Sequence, residues 1–275
     1  MICPVTMMLA AACLVSACGS QRPLQSPEHM PEVYAWCKGM RITMGADTGC
    51  AMPAVVFPVA ANELGSEVKW GLRHQASNLE VSLSPDGAGW KNCPVIHSFF
   101  ATSDGLIGWP ALKRYVWHLN PEEGIQTLQH SLPPEVREWD SVPIAEGNCA
   151  VLNVPGVGEC LLDTGAPHAV YIPRELWKEF RNSVPPSCRV GYFHGESPAA
   201  GGNFVIEVLR VPTFRLGRLT LQDVTVCQSF SNSPMVILGM ECLRGVEVWI
   251  DGPGRKLYYR PLVSEPYQTA HGVPA

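Results

Sequence analysis

Short apolar runs alternate along this chain with clusters of Gly, Pro, Asn, Asp and Ser. That punctuation predicts a β-rich protein with many turns. Val33-Tyr34-Ala35-Trp36 and Met40-Arg41-Ile42-Thr43-Met44 flank Lys38-Gly39 and read as two strands joined by a turn. Residues 59–64 read as a short helix closed by Gly65. Residues 68–83 read as a hairpin with its tip near 71–77, and Asp86-Gly87-Ala88-Gly89 as a turn. A strand over 95–99 leads to Leu106-Ile107-Gly108; a short helix over 110–114 and a hairpin of 116–119 with 125–128 follow. The paired prolines of Ser131-Leu132-Pro133-Pro134-Glu135 stop regular structure and mark a linker over 131–140.

The same order then recurs. Residues 150–154 and 159–162 flank Pro155-Gly156-Val157-Gly158, and 173–181 read as a helix. Residues 189–193 and 204–211 bracket a Gly-rich polar tip over 194–202, expected to be a mobile flap. Two short strands, 219–221 and 224–226, lead to Ile237-Leu238-Gly239. A hairpin of 246–250 with 256–259, around Asp251-Gly252-Pro253-Gly254, closes the pattern, and the tail over 264–275 is expected to be disordered.

The recurrence extends to particular residues. Asp47-Thr48-Gly49 and Asp163-Thr164-Gly165 each open a similar apolar stretch, 47–58 and 163–173. A second element repeats at one constant offset: Gly108 with Gly239, Leu112 with Leu243, and Asn120 with Asp251. A lone Asp-Thr-Gly is a weak signal, because it is also an ordinary turn in which Asp caps its own backbone. Two copies in register with two copies of another element are hard to obtain by accident.

The block from each Asp-Thr-Gly to its apolar-apolar-Gly element resembles the retropepsin-like and pepsin-like aspartic peptidases, over residues 31–262. The resemblance implies an all-β, bilobal aspartic-peptidase fold: two pseudo-symmetric β-barrel lobes with short helices, 31–130 and 141–263. It implies that Asp47 and Asp163 form a catalytic dyad that shares a water and cleaves a peptide or protein substrate. Two carboxylates held about 3 Å apart cannot both ionise easily, so the pair shares one proton and titrates as a unit. The ionised member takes a proton from water while the protonated member polarises the scissile carbonyl. Thr48 and Thr164 are expected to hydrogen-bond across to the opposite loop. Gly49 and Gly165 are expected to let backbone amides approach the carboxylates. No metal or organic cofactor is implied. The approach to Asp163 is the apolar pair Leu161-Leu162; the approach to Asp47 is Met44-Gly45-Ala46, and Cys50 stands where the second copy has Ala166. Two other readings stay open: a non-catalytic lipoprotein that keeps the fold to bind peptides or proteins, and a homodimer pairing through its second lobes. A monomer is the simpler expectation, since one chain carries two lobes.

Other residues invite weaker readings. Arg73, His74 and His194 fall at hairpin tips and read as solvated loop residues, with substrate contact as the alternative. His168, near the second Asp loop, reads as an ordinary loop residue, with tuning of the dyad as the alternative. Trp70, Tyr192 and Phe193 read as strand aromatics of the core, with lining of the cleft as the alternative. There is no Gly-x-Ser-x-Gly elbow, His-Glu-x-x-His helix or phosphate loop in the chain.

Composition changes the picture in three ways. A net charge of −5 with no basic run argues against nucleic acid as a partner. Residues 5–15 form an apolar run too short to span a bilayer. It ends in Val15-Ser16-Ala17-Cys18-Gly19, which resembles a bacterial lipobox, although no Lys or Arg precedes the run. That resemblance implies a signal peptide over 1–17, lipid on the Cys18 sulfur, a tether over 18–30 and a place at the bacterial cell envelope. A plain secretory signal cut at Ala17 is the alternative. Eight cysteines remain after Cys18, an even number that permits disulfides in an exported protein; Cys149 and Cys160 flank the turn at Pro155-Gly156 and are candidates to face each other.

Overall fold

Strands such as Ala150–Val154 alternate buried and open positions, while Ala54–Val56, Val170–Ile172 and most of Val246–Asp251 are buried on both faces. In a computed structural model of the chain, residues 30–66, 75–76, 78–96, 103–197, 202–230 and 233–262 are described. The leader and tether with Cys18, the hairpin tip with Trp70, Arg73 and His74, the end of the 95–99 strand, the flap tip at 198–201 and the tail all lie outside them.

The protein is mostly β, arranged in three sheets. The first has seven strands, all from residues before 109. Glu32–Cys37 and Met40–Asp47 form its hairpin about Lys38-Gly39. Met40–Asp47 then runs parallel to Gly105–Gly108, which is antiparallel to Ala54–Val56, which is parallel to Pro94–Val95. A second seven-stranded sheet repeats this pairing order. Ala150–Val154 and Gly158–Leu162 form the hairpin. Gly158–Leu162 runs parallel to Val236–Leu238, which is antiparallel to Val170–Ile172, which is parallel to Leu219–Gln228. The sequence repeat is therefore also a repeat of topology.

The third sheet joins the two halves. Its five strands are ordered Asp140–Pro143, Lys256–Pro261, Val246–Asp251, Val116–Asn120, Ile125–Gln129. The central pairing crosses between halves, with Leu119 opposite Val248 and Trp117 opposite Ile250. One core of buried residues runs through both halves and includes Met44, Ile107, Trp117, Leu162, Leu238 and Ile250.

Several local expectations differ from the structure. The segment read as a linker holds a short 3-10 helix, Pro134–Glu138, and opens the third sheet at Asp140. Prolines at its start preset the backbone without excluding a turn of helix. The two short strands expected over 219–226 are one, Leu219–Gln228, with Asp223 at φ 50 absorbing the irregularity. Cys160 lies opposite Leu152, so Cys149 and Cys160 do not face each other. Tyr192 and Phe193, read as core, are 69% and 37% exposed, because the Arg189–Ser197 strand that carries them is at the edge of its sheet.

Candidate active site

Each Asp loop leaves the end of a central strand. Asp47 ends Met40–Asp47 and Asp163 follows Gly158–Leu162, so parallel neighbours carry both chains to the same edge of their sheets. Beneath each loop runs the apolar-Gly strand. A Cβ added at Gly108 would sit 2.0 Å from the Met52 carbonyl oxygen, and one at Gly239 would sit 2.1 Å from that of His168. Only glycine lets these backbones cross so closely. The amide of the next residue then donates upward in both halves, Trp109 to the Cys50 carbonyl at 3.0 Å and Met240 to the Ala166 carbonyl at 2.8 Å.

The two loops meet through their threonines. The Thr48 amide donates to Thr164 Oγ1 at 3.1 Å, and the Thr164 amide donates to Thr48 Oγ1 at 3.1 Å. Each hydroxyl in turn donates to the carbonyl just before the opposite aspartate: Thr48 to Leu162 and Thr164 to Ala46, both at 2.6 Å. Both threonines are fully buried. The grip is reciprocal, and it leaves neither buried hydroxyl unsatisfied.

This grip sets the aspartates side by side. Their side chains are within hydrogen-bonding reach of each other. Each also lies against the opposite glycine: a Cβ on Gly49 would fall 2.6 Å from Asp163 Cγ, and one on Gly165 would fall 3.0 Å from Asp47 Cγ. Backbone amides face both carboxyls. Asp47 Oδ1 accepts from the Gly49 amide at 2.8 Å and the Cys50 amide at 3.0 Å; Asp163 Oδ1 accepts from the Gly165 amide at 2.9 Å. Burial raises both carboxyls above the ordinary aspartate range, and at Asp163 the neighbouring Asp47 charge adds to the effect. A shared proton relieves that repulsion, and the amides hold the negative charge that remains. Asp47, Thr48, Gly49, Asp163, Thr164 and Gly165 are thus all brought together.

Other residues surround the pair. His168 is half-buried beyond the second loop, its ring edge-on to Phe193 at 5.2 Å and tilted against Tyr171 at 6.0 Å. Phe193, Phe204, Phe230 and Tyr171 form a chain of ring contacts there. His194 is exposed on the same hairpin. Among the described residues no cluster of His, Cys, Asp and Glu side chains is arranged to hold a metal ion.

Two features were not anticipated. Glu241, buried beside the second Gly element, accepts from the Ala169 amide at 3.2 Å, from Arg210 at 2.5 Å and from the Thr225 hydroxyl at 3.2 Å. It ties the loop after Asp163 to the long hairpin strands. An acidic residue inside an otherwise apolar stretch, Met240-Glu241-Cys242-Leu243, is the one signal in the chain that marks it. Cys149 packs against the first Asp loop from the other half, its thiol 3.3 Å from the Gly49 carbonyl oxygen. That contact spans 100 residues, and no local pattern announces it. No protein-family model and no curated protein sequence matches the chain.

Proposed function

We propose that this protein is a bilobal aspartic endopeptidase of the retropepsin-like type, working as a single chain. The observation that carries the reading is the pair Asp47 and Asp163, in mutual hydrogen-bonding reach and gripped by reciprocal threonine bonds. A turn aspartate that merely caps its own backbone has no reason to be half-buried against a second carboxyl. The ionised member of the pair accepts a proton from water, and the hydroxide character so created attacks the scissile carbonyl. The protonated member donates to the carbonyl oxygen as charge develops there. Collapse of the tetrahedral species reverses the two roles and delivers a proton to the leaving nitrogen. Substrate lies extended between the halves, held by main-chain hydrogen bonds with side chains in alternate pockets. The Phe193, Phe204 and Phe230 rings beside the second loop favour an apolar side chain there.

We also propose that the chain is anchored at the bacterial envelope by lipid on Cys18; the support is the Val15-Ser16-Ala17-Cys18-Gly19 pattern. Lipid mass on the purified N-terminal peptide tests it, and an unmodified Cys18 in the exported protein rejects it. The catalytic reading is tested by offering a peptide library to the soluble chain from acid to neutral pH, with products sequenced by mass. Cleavage that disappears in Asp163→Asn supports it. An Asp163→Asn variant as active as the parent, or a parent inert at every pH, refutes it.

A further inference from the structure

Two thiols flank the carboxyl pair, one from each half of the chain. Cys50 follows Gly49 in the first Asp loop. Cys149 precedes the Ala150–Val154 strand, and the pairing of Ala150 with Leu162, continued by one step, sets Cys149 opposite Asp163. The Ala150 amide donates to the Thr48 carbonyl at 3.0 Å, and the Cys149 thiol donates to the Gly49 carbonyl oxygen at 3.3 Å. That oxygen belongs to the rigid peptide unit that Cys50 completes, which puts the Cys149 sulfur within about 6 Å of Cys50 Cα. A disulfide requires Cα atoms about 4.4–6.8 Å apart, and closing one here requires the Cys50 thiol to turn from the Met52 carbonyl, 3.6 Å away, toward Cys149.

Exposure singles out the same pair. Of the cysteines in the described residues, Cys37, Cys93, Cys160, Cys188, Cys227 and Cys242 are buried; Cys50 and Cys149 are partly open. Burial and then the Asp47 charge push the Cys50 thiol up to about 12, with Cys149 adding to the effect. Burial, then Asp47 and Asp163, raise Cys149. Both are therefore protonated at neutral pH. Exchange runs through the thiolate, so it quickens as pH rises.

We propose that Cys50 and Cys149 are a modification site, a dithiol whose closure to a disulfide ties the first Asp loop to the second half and lowers the activity of the carboxyl pair. The Cys50 and Gly49 amides both donate to Asp47 Oδ1. Drawing Cys50 toward Cys149 turns those donors away from the carboxyl they hold. The oxidant is a low-molecular-weight disulfide. One protein thiolate attacks a reagent sulfur and releases one reagent thiol. The second protein thiolate attacks the protein sulfur of that mixed disulfide and releases the other. The protein loses two protons and two electrons, and the reagent gains them.

The effect on activity rests on the peptidase reading; the bond does not. The folded full chain is incubated with oxidised glutathione at pH 6 and pH 8, remaining thiols are alkylated, and peptides are mapped by mass, alongside Cys149→Ser. A linked Cys50–Cys149 peptide, formed faster at pH 8 and absent from Cys149→Ser, is expected. Peptide cleavage is expected to fall on the order of 10²-fold in the linked protein, to return on reduction, and to resist the oxidant in Cys149→Ser. Alkylation of both cysteines in the oxidised protein overturns the site, and a linked protein that cleaves as fast as the reduced one overturns the control. A chain that forms the bond yet cleaves nothing when reduced upholds the site and refutes the peptidase reading instead.

Discussion

The two threonine hydroxyls do more for this site than any other side chains apart from the aspartates. Thr164 Oγ1, fully buried, accepts from the Thr48 amide and donates to the Ala46 carbonyl. Thr164→Ala leaves that amide and carbonyl unpaired and is expected to cost about 2–4 kcal/mol of unfolding free energy. Thr164→Ser keeps the hydroxyl, loses a methyl and is expected to cost about 1 kcal/mol. Denaturant melts of the two variants check this, and equal losses would mean the grip contributes little. The aspartates themselves run the other way. Burial raises both in the folded state, so the neutral acid is favoured there. The pair costs nothing below the unfolded carboxylate range, and stability falls as pH rises through the raised folded values. Asp163→Asn cannot ionise and still offers an oxygen to the Gly165 amide. It is expected to melt above the parent at neutral pH and with it near pH 3. A gap that does not shrink toward acid contradicts this. These residues were legible because the triplet occurs twice; their pairing was not, since each contact of the grip spans at least 114 residues.

At the scale of elements, close backbone crossings and one buried carboxylate fix where the loops stand. The Gly239 crossing sets the height of the Asp163 loop, and Glu241 holds its far end to the hairpin through Ala169, Arg210 and Thr225. Glu241→Ala removes the acceptor of all three. Arg210 keeps its bonds to Asp223 and part of its hydration, so the expected loss is about 2–3 kcal/mol, below that for a fully buried pair. A thermal or denaturant melt indistinguishable from the parent's would contradict that role. Most elements could be read from turn chemistry and apolar alternation, as the strands about Lys38-Gly39 illustrate. Register could not. The turn after Val154 pairs it with Gly158, which sets Cys160 against Leu152 and leaves Cys149 beyond the last paired residue. A hairpin's register follows from its turn geometry, which composition at the turn does not specify to one residue.

Across the whole molecule, the five-stranded sheet makes the halves interdependent. Leu119 lies opposite Val248, and buried Glu247 receives His118 from the other half at 2.8 Å and Arg260 from its own at 2.6 Å. With one core running through both halves, unfolding is expected as a single calorimetric transition whose van't Hoff and calorimetric enthalpies agree. Two resolved transitions would contradict that coupling. Both carboxyls come from one chain, so activity per chain is expected to be independent of concentration. This joining of halves was not readable in sequence, because it pairs strands more than a hundred residues apart whose own patterns say only that each is buried. The most direct test of the account compares kcat/KM for one cleaved peptide among the parent, Asp47→Asn and Asp163→Asn. Each substitution alone is expected to lower it by about 10²–10⁴-fold or more, because either aspartate alone cannot supply both acid and base. Full activity in Asp47→Asn alongside loss in Asp163→Asn would contradict a single-chain pair and require a second molecule to complete the site.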